Sequence, residues 1–108
     1  WYQSQINKRP ILLIQDATMS LTQLLTSLKD NYQINDGLVE AGATVAASFL
    51  QQGLVDELIV YQAPCILGND AKPMINFTAQ HMHQQIIATL VSHETIGNDI
   101  KLTYRFDK

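Results

Sequence analysis

One cysteine, three prolines and five glycines among 108 residues are meagre counts, and each shortage removes a class of protein. Cys65 has no second thiol to pair with, so a small secreted scaffold held by disulfides is excluded. With no Ser-, Pro- or Gly-rich tract and no internal repeat, linkers, collagen and low-complexity segments drop out. Seven basic residues, scattered and outnumbered by ten acidic ones, leave a net charge of -3 and no footprint for a nucleic-acid backbone or an anionic lipid surface. No apolar run approaches the roughly 18 residues of a membrane span, and the N-terminus carries no signal-peptide core. A soluble, cytoplasmic protein is therefore expected. Its first residue is Trp1 and not a methionine, which fits a processed product or a piece of something longer.

What is present suits folding. Apolar residues make up 46% of a chain of single-domain size. We read residues 1–108 as one domain, able to bury roughly two-thirds of its unfolded surface without a staple. Ile11-Leu12-Leu13-Ile14 is a short all-apolar run, expected to be a strand covered on both faces. Leu21, Leu24, Leu25 and Leu28 follow at helical spacing, with Ser20 and Gln23 placed as a capping box and Met19 opposite Leu24 as a staple. A second strand is expected around Leu38-Val39 within Ile34 to Glu40. A helix is expected over Ala43 to Gln52, with Val45, Ala46, Phe49 and Leu50 inward and Gly53 as its stop. Leu58-Ile59-Val60-Tyr61 makes a third buried strand.

Strand, helix, strand, helix, strand implies right-handed crossovers and a mainly parallel sheet: an α/β fold of three layers, helices on both sides. The tail differs. Ile100, Leu102, Tyr104 and Phe106 alternate with Lys101, Thr103, Arg105 and Asp107, a strand with one wet face. Gln85 to Glu94 is its partner across the turn Ile96-Gly97-Asn98-Asp99, which gives a C-terminal antiparallel hairpin. Pro64 to His83 shows no period and reads mostly as loop.

Ligands of open parallel sheets bind beyond the carboxyl ends of the strands, which directs attention to Leu38-Val39-Glu40-Ala41-Gly42-Ala43-Thr44. A helix opening directly after Gly42 would aim free N–H groups and a positive dipole end at a phosphate, with Thr44 and Ser48 adding hydroxyls. The same pattern also describes a plain tight turn. No Lys or Arg occurs between Lys29 and Lys72, so an anion held there relies on backbone dipoles or on basic groups from elsewhere. Glu40 is either a ligand-facing carboxylate or a solvated strand end. Asp56-Glu57 is read as structural. His81 and His83, expected on one side of a strand, lack the further ligands a zinc site needs, so no metal is assigned. Cys65 is read as a buried spectator thiol.

The strings Leu38-Val39-Glu40-Ala41-Gly42-Ala43-Thr44-Val45-Ala46, Leu54-Val55-Asp56-Glu57-Leu58-Ile59-Val60-Tyr61-Gln62-Ala63-Pro64 and Leu67-Gly68 closely resemble the reductase domain of the bacterial bifunctional riboflavin-biosynthesis deaminase/reductase. The resemblance is strongest from about Ile34 to Lys72 and covers about the second half of such a domain. It implies a dihydrofolate-reductase-like fold and NADPH-dependent reduction of 5-amino-6-(5-phosphoribosylamino)uracil to its ribitylamino product. It also implies that Gly42, Ala43, Thr44, Val45, Ala46, Ala47 and Ser48 match the cofactor-binding loop and helix start, that Glu40 matches a substrate-contacting carboxylate, and that the protein is a homodimer or larger. Two departures stand out: the glycine pair common in this fold is Ala41-Gly42 here, and Cys65 stands where a lysine is often seen. On this reading the chain alone does not turn over. The alternatives are a noncatalytic dimerisation or nucleotide-binding module, and a dihydrofolate-reductase-like enzyme with another substrate.

Overall fold

The computed structural model describes residues 19–107. The strand expected at Ile11–Ile14 lies outside the described residues. Internal packing divides the chain into two compact units, Trp1–Asn35 and Asp36–Lys108.

In the first unit, helix α1 (Leu21–Tyr32) forms where the leucine stripe predicts it. Leu21, Leu24, Leu25 and Leu28 are half-buried while Thr22, Gln23, Thr26 and Lys29 are exposed, so the apolar stripe is the sheltered one. The capping box is complete. The Ser20 N–H donates to Gln23 Oε1 at 2.9 Å and the Gln23 N–H donates to Ser20 Oγ at 3.1 Å, which satisfies two of the N–H groups a helix start leaves open. At the other end Gln33 takes a left-handed conformation, φ 57°, that turns the chain out of the helix. The Gln33 and Ile34 N–H groups then return to the carbonyls of Lys29 and Leu28, each at 3.0 Å.

The second unit contains helix α2 (Ala43–Gln51), strand β1 (Glu57–Gln62), a single 3-10 turn at Met82–Gln84, and the hairpin strands β2 (Thr89–Ile96) and β3 (Asp99–Arg105). Gly53, at φ 68°, ends α2 as expected, and the Leu54 N–H closes back on the Phe49 carbonyl at 3.0 Å. Strand order is β1-β3-β2, and both ladders are antiparallel. The hairpin is the one predicted, though β2 begins at Thr89 and not at Gln85. Gly97 supplies the positive φ, 60°, that a two-residue hairpin loop needs at its first position.

Two expectations about the sheet are not met among the described residues. No strand forms at Leu38-Val39: residues 33–42 join no ladder, and Leu38 is 75% exposed. Without that strand the crossover leading into β1 has no parallel partner among the described residues, and β1 pairs with β3 instead, Leu58 opposite Tyr104 and Val60 opposite Leu102. Alternation in β3 explains the match. One face carries Leu102 and Tyr104 against Leu58 and Val60. The other carries two direct cross-strand ion pairs, Glu57–Arg105 at 3.1 Å and Lys101–Glu94 at 3.6 Å. Only one face of β1 is sheltered, since Tyr61 on the other is 61% exposed; a run of four apolar residues did not imply two covered faces.

Burial is also shallower than the length suggested, because the stretches 33–42 and 63–81 add no ladder on which their apolar residues can pack. Ala47 and Phe49 alone are buried among the described residues. On α2 it is thus Ala47 that faces inward, while Val45, expected inward, is exposed. An open groove of about 670 Å³ lies where a larger core would close, lined by Leu50, Leu58, Val60, Phe77, Leu102 and Tyr104 among others.

Candidate functional site

The segment flagged in the sequence leads directly into the first turn of α2. Gly42 is the N-cap residue, with φ -71° and ψ 174°, and no side chain caps the turn. The first intrahelical bond runs from the Ala46 N–H to the Gly42 carbonyl at 3.1 Å. The N–H groups of Ala43, Thr44 and Val45 come before it, so they carry the positive end of the helix dipole without a cap of their own. Gly42 does not need to be glycine for its backbone, because φ -71° suits any residue. A Cβ placed there would meet nothing within 4 Å. Nothing among the described residues, then, asks for a bare backbone at this point. Close approach of an external group would.

The remaining residues of the candidate loop take different roles. Thr44 is exposed at the second helical position. Ala47 is 3% exposed, so its methyl seats the helix from below and does not face the open end. The Ser48 hydroxyl donates to the Thr44 carbonyl at 3.2 Å, which commits its proton within the helix. Glu40 is exposed two residues before the cap, in a segment that joins no ladder, and not at the end of a paired strand as expected.

Asn76 was missed by sequence reasoning, since it sits in the stretch without period. Its backbone N–H donates to the Ala43 carbonyl at 3.2 Å, and its side-chain Nδ2 donates to Thr44 Oγ1 at 3.3 Å. A loop residue 32 positions away therefore ties down the first turn of α2. The only hint in the sequence was an asparagine three residues after Pro73 in the loop from Pro64 to His83, too common a pattern to single out.

Cys65 is exposed, not buried, because it stands just after β1 in a stretch, residues 61–70, whose residues are all exposed. His81 stands at the start of the 3-10 turn and His83 lies within it, so the pair is not on a strand; the turn closes when the Gln84 side chain accepts the N–H groups of Gln80 and His81. No group of three or more His, Cys, Asp or Glu able to hold a metal occurs among the described residues. The Asp56 backbone carbonyl accepts the Phe106 N–H at 3.1 Å, and the Glu57 carboxylate pairs with Arg105. Among the described residues no helix is long and apolar enough to cross a membrane.

Comparison with known proteins agrees with the resemblance seen in the sequence. The chain is 45% identical over 97 residues to the riboflavin biosynthesis protein RibD of Buchnera aphidicola subsp. Baizongia pistaciae, covering 88% of this chain and 26% of that protein. It is 50% identical over 42 residues to a protein of Buchnera aphidicola subsp. Acyrthosiphon pisum named 5-amino-6-(5-phosphoribosylamino)uracil reductase, covering 39% of this chain and 20% of that one. Form 1 of Acinetobacter baumannii RibD superposes with a TM-score of 0.82 at 41% identity, over 89% of this chain and 27% of that chain. The chain thus spans about a quarter of the length of these two RibD proteins. The superposition supports the reductase-domain fold expected from the sequence, although the parallel part of the sheet is not found among the described residues. A family model described as the RibD C-terminal domain matches residues 2–102, and the chain belongs to that family.

Proposed function

We propose that the chain is the C-terminal part of an NADPH-dependent 5-amino-6-(5-phosphoribosylamino)uracil reductase of riboflavin biosynthesis, within a bifunctional deaminase/reductase. The observation that carries this reading is the uncapped first turn of α2 behind a glycine whose missing side chain serves nothing inside the described chain. It stands in a chain related to a protein named for that reaction. Bound NADPH would supply a hydride to C1′ of the ring-opened imine; the imine nitrogen takes a proton, and the C=N bond becomes the C–N bond of the ribitylamine. The N–H groups of Ala43, Thr44 and Val45 receive the cofactor pyrophosphate, and Gly42 lets it approach the backbone. Ala46, Ala47 and Ser48 continue the helix that aims those groups. Glu40 accepts hydrogen bonds from substrate ribosyl hydroxyls.

Self-association belongs to the same reading. β1 has one unpaired edge among the described residues, and Ile59 and Tyr61 are exposed on its outer face; an open edge favours pairing with a further strand or a second copy. We place the enzyme in the cytoplasm as a homodimer or larger. The 108 residues alone will not turn over, since hydride transfer needs both reactants held in near-attack geometry and this chain offers one wall of such a site.

Gly42→Val tests the cofactor reading in the full-length reductase. The added side chain stands where the pyrophosphate must come, so NADPH binding followed by titration calorimetry should weaken tenfold or more in a variant that stays folded, with at most a small fall in melting temperature. Undiminished affinity in a folded variant removes the α2 turn from the site.

A further inference from the structure

Resting on the cofactor reading above, we propose that Asn76 is a positioning residue that turns the Thr44 hydroxyl into a hydrogen-bond donor for the bound pyrophosphate. A threonine inside a helix commonly donates its O–H to the carbonyl four residues back. Thr44 is the second residue of α2, so that carbonyl belongs to Glu40, which lies outside the helix, and the hydroxyl proton has no intrahelical acceptor. Asn76 then decides where the proton goes. Its Nδ2 donates to Thr44 Oγ1 at 3.3 Å, and this occupies a lone pair of the hydroxyl while leaving the O–H to donate.

A second bond anchors the backbone of Asn76. The Asn76 backbone N–H donates to the Ala43 carbonyl at 3.2 Å, which anchors the residue on the same turn. The Thr44 carbonyl is meanwhile taken by the Ser48 hydroxyl, so Ser48 does not compete for the ligand. Asn76 touches neither cofactor nor substrate on this account. It acts through Thr44, adding one side-chain donor to a cradle otherwise made of backbone N–H groups, in a stretch from residue 30 to 71 with no Lys or Arg.

The chemistry makes an unusual demand of the obvious variants. Asn76→Asp keeps the shape but replaces the donor with an acceptor, so Thr44 would turn its proton toward Asp, and a negative charge would stand beside the phosphates. Asn76→Ala only releases the hydroxyl. Steady-state kinetics of the full-length reductase should show KM for NADPH raised tenfold or more by Asn76→Asp and about threefold by Asn76→Ala, with kcat unchanged in both. Thr44→Val should match Asn76→Ala, Thr44→Ser should restore the parent value, and Asn76→Ala added to Thr44→Val should change nothing more. Melting temperatures identify any variant that loses the fold, and Asn76→Ala with Thr44→Val keeps the test open if Asn76→Asp does. If Asn76→Asp and Asn76→Ala leave KM within twofold of the parent while Gly42→Val still weakens NADPH, the role of Asn76 is overturned and the cofactor site stands. If Gly42→Val has no effect either, the cofactor reading fails and this inference fails with it.

Discussion

Two helices of this chain begin in opposite ways. Before α1, Ser20 and Gln23 exchange two hydrogen bonds and close the first turn with groups local to the helix. Before α2, Gly42 offers no side chain, and three N–H groups precede the first helical bond. A closed start stabilises the helix for its own sake, while an open start gives up that stabilisation and leaves a directed set of donors. On the proposed reading, the difference separates a part of the sequence that serves folding from a part that serves a ligand. It also explains why the same composition rules locate one and undervalue the other.

Charge near the open start gives the largest expected effect. Glu40→Gln should lower kcat/KM of the full-length reductase by roughly ten- to a hundredfold, the loss of a charge-assisted hydrogen bond of about 1.5 to 3 kcal/mol. Folding and NADPH affinity should stay near the parent values. Normal kinetics with a lowered melting temperature would instead make Glu40 a structural neighbour of the cap and weaken the contrast between the two helices.

Opening the closed start should do less, and should do it elsewhere. Ser20→Ala removes the acceptor for the Gln23 N–H and should cost about 1 kcal/mol of stability, read as a shift in the denaturation midpoint. NADPH affinity should not move. A Ser20→Ala variant that binds NADPH more weakly would mean that the two helix starts are not separate in function.

Legibility followed how local each cause was. The leucine stripe, the capping box, the Gly53 stop and the Gly97 turn each depend on a few neighbouring residues, and each was found where the sequence placed it. Pairing was harder to read. Leu58-Ile59-Val60-Tyr61 looks like a strand buried on both sides, yet nothing within the run says that β3 will supply its partner from 40 residues away, or in which direction. Leu38-Val39 has the composition of a strand and no ladder to join among the described residues. At the candidate site, the Gly42 turn was legible because glycine before a helix is a local sign. Asn76 was not, since its bonds to Ala43 and Thr44 cross 33 and 32 positions from a loop with no pattern of its own. The exposed Cys65 is a similar case: its burial depended on whether the chain after β1 would find a surface, which the residue itself cannot report.

Making α2 begin as α1 does is the most direct test of the central claim. Gly42→Asp places a favoured capping carboxylate at a position whose φ and ψ already suit a cap and where a Cβ meets nothing. The account predicts that NADPH titrated into this variant of the full-length reductase binds at least tenfold more weakly, although its melting temperature is equal to or slightly above that of the parent. Undiminished NADPH affinity in the same variant would contradict it, because a carboxylate that closes the turn could not share those N–H groups with a pyrophosphate.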